Sequence, residues 1–227
     1  MQNIKLAVDA IVFGYDQKVL YVLLVKQKFG QYKGSWCLPG GFVKEDEGIQ
    51  QAVERELQEE TGVHVNYLEQ LYTFGDDVNR DQRFRVVSVA YFALVNSENF
   101  ILQASTDAEE VAWFPIKDIP LLSYDHNIII AQAYSRLQSK LSYKPIGFDL
   151  LNNEFAFSEL ESLYMTILGH PIDRRNFRKK VMSFGLLDET EKIKKIGSGR
   201  PAKLFRFNEQ KYRELDKRGY HFEIKLA

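Results

Sequence analysis

Hydrophobic positions in the first part of the chain fall into short runs rich in Val, Leu, Ile and Tyr. Residues 4–14 and 19–26 form two such runs, parted by Gly14-Tyr-Asp-Gln-Lys18. Two apolar runs across a short polar turn predict a β-hairpin. Residues 29–37 are punctuated by glycine and read as a loop, followed by Leu38-Pro-Gly-Gly41. The period then changes. Ile49, Ala52, Val53 and Leu57 recur at helical spacing, with Asp46 placed to cap the helix and Gly62 to end it. Residues 64–75 and 84–95 predict strands on either side of a charged loop at 76–83, and residues 109–115 predict a last strand ending at proline. Residues 127–141 predict a helix with Ile128, Ala131, Tyr134, Leu137 and Leu141 on its apolar side.

The texture shifts after that helix. Residues 142–153 contain Pro145-Ile-Gly147 and Asn152-Asn153 and read as a connector, which divides the chain into domains 1–141 and 154–227. In the second domain Ser158 and Glu161 have capping-box spacing, ahead of Leu160, Leu163, Tyr164 and Ile167 at helical intervals. Gly169-His-Pro171 breaks this helix. A second helix spans residues 173–184, with Phe177, Val181 and Phe184 on its buried side and Gly185 as its stop. Two strand-like segments, 192–196 and 203–207, flank Gly197-Ser-Gly-Arg-Pro201. Helix, turn, helix and hairpin is the order of a winged helix-turn-helix. The whole chain is α+β, and no internal repeat is apparent.

Composition narrows this only where it is uneven. With 45% hydrophobic and 27% charged residues the chain is globular, and its length suits one large domain or two small ones. One cysteine, Cys37, excludes an internal disulfide framework. Charges near the N-terminus and the lack of a long apolar window predict a cytoplasmic protein without a membrane span. The net charge of −1 hides a division: residues 1–144 hold 14 Lys+Arg against 19 Asp+Glu, while residues 145–227 hold 16 against 12. The basic second part points to nucleic acid.

The acidic part concentrates its charge. Glu56, Glu59 and Glu60 share one stretch of the first helix, where like charges one turn apart repel. A hard divalent cation would account for the cluster, and so would neutralisation by nearby Lys or Arg. Gly41, Glu47, Arg55, Glu56, Leu57, Glu59, Glu60, Gly62 and Val63 fill every fixed position of the Nudix box. The chain therefore resembles the Nudix family, which implies an α/β/α sandwich over about residues 1–141 and the chemistry of pyrophosphate compounds. By that resemblance Glu56, Glu59 and Glu60 would hold Mg²⁺ or Mn²⁺, Glu47 would support them, and Arg55 would orient a glutamate. Glu59, Glu60 and Arg55 are then the catalytic candidates. Gly40 and Gly41 would let a ligand approach the backbone. Arg83 and Arg85 are candidates for a ligand diphosphate, with pairing to Asp76, Asp77 or Asp81 as the alternative; Glu109 or Glu110 is a candidate general base.

In the basic domain Arg174, Arg175, Arg178 and Lys179 lie on the second helix, and Asn176 can make a bidentate contact with adenine. Arg200 near the wing tip and Lys203 behind it complete a set suited to DNA phosphates and groove edges. Segments 36–43, 81–92 and 199–207, taken with the box, resemble the Nudix-related transcriptional regulators of NAD metabolism (NrtR). That resemblance implies a homodimer on palindromic operator DNA, acting as a repressor, with ADP-ribose as effector and genes of NAD synthesis or salvage as targets. Two alternatives carry different expectations. One is a Mg²⁺-dependent ADP-ribose pyrophosphatase, alone or combined with regulation; the other is a regulator answering to a sugar.

Overall fold

The computed structural model describes residues 3–65, 67–96, 108–195, 201–220 and 222, with the backbone alone at 108 and 109. The chain divides into two compact units, Met1–Arg136 and Leu137–Ala227.

The first unit is built on strands β1 (Ile4–Asp16) and β2 (Val19–Gln27), the expected hairpin. Gln17 and Lys18 at its tip both have positive φ, the backbone that a two-residue turn matched to strand twist needs. Next come β3 (Trp36–Cys37), β4 (Gly40–Phe42), α1 (Ile49–Thr61), β5 (Tyr67–Phe74), β6 (Arg85–Asn96), β7 (Ala108–Pro115) and α2 (His126–Leu141). β1 pairs in parallel with β6 from Ile4 opposite Arg85 to Tyr15 opposite Asn96. β5 flanks β6, and β7 pairs with β2, both antiparallel.

The hairpin forks. β1 and β2 pair only from Phe13 opposite Val22 to the turn. Beyond that point β1 takes β4 as neighbour at Ala7 to Asp9, and β2 takes β3 at Val25 and Lys26. The fork holds two short strands and leaves space between its arms.

Val8, Ala10, Val12, Val89, Tyr91, Ala93 and Val95 alternate toward Ala52, Val53 and Leu57 of α1. The intervening Ile11, Phe13, Ala90, Phe92 and Leu94 are also buried. Both faces are covered, which is why these strands read as unbroken apolar runs. Each fully buried Leu or Phe here contributes roughly 1.5–3 kcal/mol.

Two local expectations change. The N-cap of α1 is Gly48, not Asp46: the Gln51 carbonyl oxygen reaches back to the Gly48 N–H at 2.8 Å and caps the helix from inside. The apolar side of α2 is Ile129, Ile130, Ala133, Leu137 and Leu141, while Ile128 is 65% exposed. The helix starts at His126, whose ring is anchored in the protein, and that anchor sets the phase.

In the second unit a 3₁₀ turn (Ile146–Leu150) buries Ile146, Phe148 and Leu150. β8 (Phe155–Ala156), α3 (Phe157–Leu168), α4 (Arg174–Ser183), β9 (Leu187–Lys194), β10 (Ala202–Phe207) and α5 (Glu209–Lys217) follow, with sheet order β8-β10-β9. The α3 box sits two residues earlier than Ser158 and Glu161 would place it, with the Ala156 N–H donating to Glu159 at 2.7 Å. Asp173 caps α4 by accepting from the N–H groups of Arg175 and Asn176. β9 starts well before residue 192. Phe177 of α4 meets Tyr164 of α3 at 4.7 Å between ring centres and anchors the helix-turn-helix. The wing residue Arg200 lies outside the described residues.

Candidate functional site

The helix α1 delivers its carboxylates to an arginine. Arg55 forks both oxygens of Glu47, with Nε at 2.8 Å and Nη2 at 2.6 Å. Its Nη1 donates to Glu56 at 2.7 Å and to Glu59 at 2.9 Å, and Nη2 also reaches the Phe42 carbonyl. Hydrogen bonds from Arg55 and the Lys44 amide hold the Glu47 carboxyl down at about 2. Burial pushes Glu56 the other way, above the usual carboxylate range. Glu60 turns aside, accepting from the Gly40 N–H at 2.9 Å.

These residues carry the hard oxygen donors that Mg²⁺ or Mn²⁺ prefers. Their arrangement is a different matter. Among the described residues no three acidic, His or Cys side chains converge as a metal site requires. Arg55 supplies the positive charge that the cluster demands. Glu47, Glu56 and Glu59 are instead gathered on the Arg55 guanidinium. Of the two candidate bases, Glu110 pairs with Lys26 at 3.5 Å, and the Glu109 side chain lies outside the described set.

At Gly41 a Cβ would stand 2.3 Å from Glu56 Oε1, so a larger residue there would turn the Glu56 carboxylate aside. At Gly40 a Cβ would meet the Val8 carbonyl at 2.2 Å. The two glycines thus let β4 lie against β1 and let Glu56 tuck behind it.

Beside this cluster, in the fork of the hairpin, lies a cavity of about 280 Å³. Val8 and Asp9 line it from β1, Val25 to Phe29 from the β2 side, and Gly40 to Phe42 from β4, with Glu60, Arg80, Arg83, Tyr124 and His126 closing it. Its floor is a buried charge network. Arg80 forks Asp125 at 3.0 and 2.6 Å and reaches Asp9 at 3.3 Å. Ser88 donates to Asp9 at 2.6 Å. The Leu38 N–H donates to His126 Nδ1 at 2.9 Å, so the neutral ring carries its proton on Nε2, which faces Asp9 Oδ1 at 3.4 Å. Burial alone would raise the Asp9 carboxyl, but His126, Arg80 and Ser88 outweigh it and bring it to about 2.

Arg83 lines the cavity, bound to Asp81 through Nε and Nη2 and to the Tyr124 hydroxyl at 3.0 Å. Among the described residues its Nη1 donates to none. Arg85 is elsewhere, spent on the carbonyls of Val86 and Gly75. Sequence reasoning missed Asp9, Arg80, Tyr124 and His126. Each is ordinary in its local sequence and becomes part of a site only when strand, loop and helix converge.

The basic surface of the second unit also sorts itself. Arg178 packs over Phe157 at 4.4 Å and over Phe205 at 6.0 Å. Arg174 lies 4.0 Å from Glu161, and Lys203 pairs with Glu189. The Asn176 amide donates to Asp173 at 2.7 Å. Among the described residues Arg175 and Lys179, one turn apart on the exposed face of α4, make no ion pair or hydrogen bond through their side chains.

Residues 3–137 match the NUDIX domain family, and residues 147–207 match the NrtR DNA-binding winged helix domain. The chain is 35% identical over 211 residues to an ADPR-responsive transcriptional repressor, NtrR, of Acinetobacter baylyi, covering 91% of this chain and 83% of that one. This chain belongs to the NrtR family. The NrtR of Shewanella oneidensis, solved with a 27mer DNA, is 33% identical and superposes with a TM-score of 0.82, over 97% of this chain and 99% of that one. The Nudix domain of that NrtR, solved with ADP ribose, is 39% identical with a TM-score of 0.55, covering 60% of this chain and 90% of that one. This NrtR-family chain has no described helix long and apolar enough to cross a membrane.

Proposed function

We propose that the protein is an ADP-ribose-responsive repressor of genes for NAD synthesis or salvage, binding operator DNA as a homodimer. The Nudix unit is the receptor and the winged helix is the DNA reader. The observation that carries this reading is the exposed basic face of α4, held at its start by the Asp173 cap and braced by Phe177. A helix of that kind is the part of a helix-turn-helix that enters the major groove. Arg175 and Lys179 are placed to contact DNA without giving up a partner. Arg174, Asn176, Arg178 and Lys203 act mainly by shaping the unit, and Arg200 adds positive charge to the DNA-binding set.

Support for the effector comes from the cavity, where Arg83 offers a free N–H edge to a diphosphate beside the backbone of Gly40 and Gly41. Binding of ADP-ribose shifts the dimer toward a state that releases the operator.

A mobility-shift titration on upstream DNA tests this. Retardation at moderate salt, reversed by ADP-ribose, is expected. Absence of any sequence-preferring complex would overturn the regulator; a complex indifferent to ADP-ribose would leave DNA binding standing and remove the effector.

A further inference from the structure

We infer that Glu154, Glu159, Glu161 and Glu189 of the second unit withhold its cations from DNA phosphates and so keep sequence-independent DNA affinity low. This deepens the reading of that unit as the DNA reader and rests on it.

The pairing is systematic. Each Lys or Arg of the wing strands β9 and β10 has an acid as partner. Glu154 takes Lys192 and Arg206, both at 2.9 Å, and Glu159 takes Lys194 at 3.1 Å. Glu189 takes Lys203 within the wing itself. On α4, Arg174 stands 4.0 Å from Glu161. Lys192 and Arg206 hold the Glu154 carboxyl below the usual carboxylate range. By contrast Arg175 and Lys179, on the exposed face of α4, have no acid as partner among the described residues. The helix that reads bases keeps its charge while the strands beside it are neutralised.

Stability does not account for such a set. The Lys192, Lys203 and Arg206 side chains are 70%, 65% and 61% exposed, and exposed pairs contribute only about 0–1 kcal/mol. The effect on a polyanion is larger. Each phosphate neutralised by a free Lys or Arg releases a condensed counterion, and that release drives non-specific binding. A cation already matched by a carboxylate brings that carboxylate to the phosphate, and repulsion offsets the attraction.

The placement suits this role. Glu161, Arg178, Glu189 and Lys203 line a recess of about 320 Å³ bounded by α3, α4 and both wing strands. Phosphates drawn to α4 meet these acids at short range. A repressor that must leave its operator benefits: the effector's coupling free energy is fixed, so tighter sequence-independent binding would leave more operator occupied at saturating effector.

The experiment is binding of the full-length protein to a scrambled duplex at several salt concentrations. Glu189→Gln frees Lys203. It should raise affinity roughly 3- to 10-fold at about 0.15 M salt and steepen the slope of log affinity against log salt by about 1. Glu154→Gln frees two cations and should steepen the slope by about 2. Glu159 is unsuited to this test because it also caps α3 through the Ala156 N–H. Adding Lys203→Met to Glu189→Gln should cancel the gain. Glu191→Gln removes the same charge from β9 but frees no cation, since among the described residues Glu191 has none as partner, and should leave affinity within about twofold. If Glu154→Gln and Glu189→Gln bind the scrambled duplex as the parent does, the inference is overturned and the DNA reader stands. It is also overturned if Glu191→Gln gains as much as Glu189→Gln, or if the gain survives Lys203→Met, because bulk charge then explains it. If the parent binds no duplex at any salt concentration, the DNA-reader reading itself fails.

Discussion

Arg80 grips Asp125 with two donors, at 3.0 and 2.6 Å, from a loop 45 positions earlier in the chain. The same guanidinium touches Asp9 on the central strand, and its side chain is 5% exposed. One residue therefore fastens strand, loop and helix beneath the cavity.

Removing that fastening leaves two carboxylates buried without their cation. Arg80→Ala should lower stability by about 3–5 kcal/mol, the usual cost of breaking one side of a buried pair. Arg80→Lys should not restore it, because an ammonium cannot make the two-point fork. Denaturant unfolding of the three proteins reads the difference as a shift in midpoint.

Asp9 predicts the acid response. Its folded carboxyl is held at about 2, below the usual carboxylate range, so it stabilises the fold fully above about pH 4 and loses that contribution as pH falls toward 2. Asp9→Asn should flatten this limb of the stability profile, measured by thermal melts between pH 5 and 2.

Arg55 separates charge neutralisation from metal binding. Arg55→Gln leaves Glu47, Glu56 and Glu59 to repel one another, and the melting temperature should fall. Millimolar Mg²⁺ should recover part of the loss in the variant and change the parent less. Equal responses to Mg²⁺ in both would show that the arginine does not stand in for a cation.

Arg175 and Arg178 differ by three positions and should differ in kind. Arg175→Ala should weaken operator binding and lower the slope of log affinity against log salt by about 1. Arg178→Ala should chiefly lower stability, by roughly 0.5–1 kcal/mol for the lost contact with Phe157. Binding at several salt concentrations, paired with thermal melts, assigns each residue.

How much of this was legible from residues alone depended on the range of the interaction. The hairpin, the helix α1 and its apolar stripe, and the second basic-domain helix with its stop at Gly185 are local, and their patterns are correct. The α2 phase failed because His126 is fixed by Asp9 and Leu38, partners that no periodicity reveals. β3 and β4 are too short to leave a pattern, and α5, with no buried residue, shows no apolar stripe to detect. At the site, the acidic cluster was visible and both explanations for it were open. That Arg55 fills it follows from side-chain reach, which spacing does not encode. Tyr124 was invisible because its side-chain partners, Tyr32 and Arg83, lie far along the chain.

The parallel pairing of β1 with β6 has a consequence during synthesis. Ile4 waits for Arg85, about eighty residues later, so β1 leaves the ribosome with one edge and both apolar faces unmet. At 5–20 residues per second that interval lasts roughly 4–16 s. The early hairpin can hold one side of β1 by its tip, since the β1–β2 register starts at the turn. The nascent chain is then most vulnerable to aggregation before residue 96 emerges, and slowing translation beyond the hairpin should lengthen the exposure.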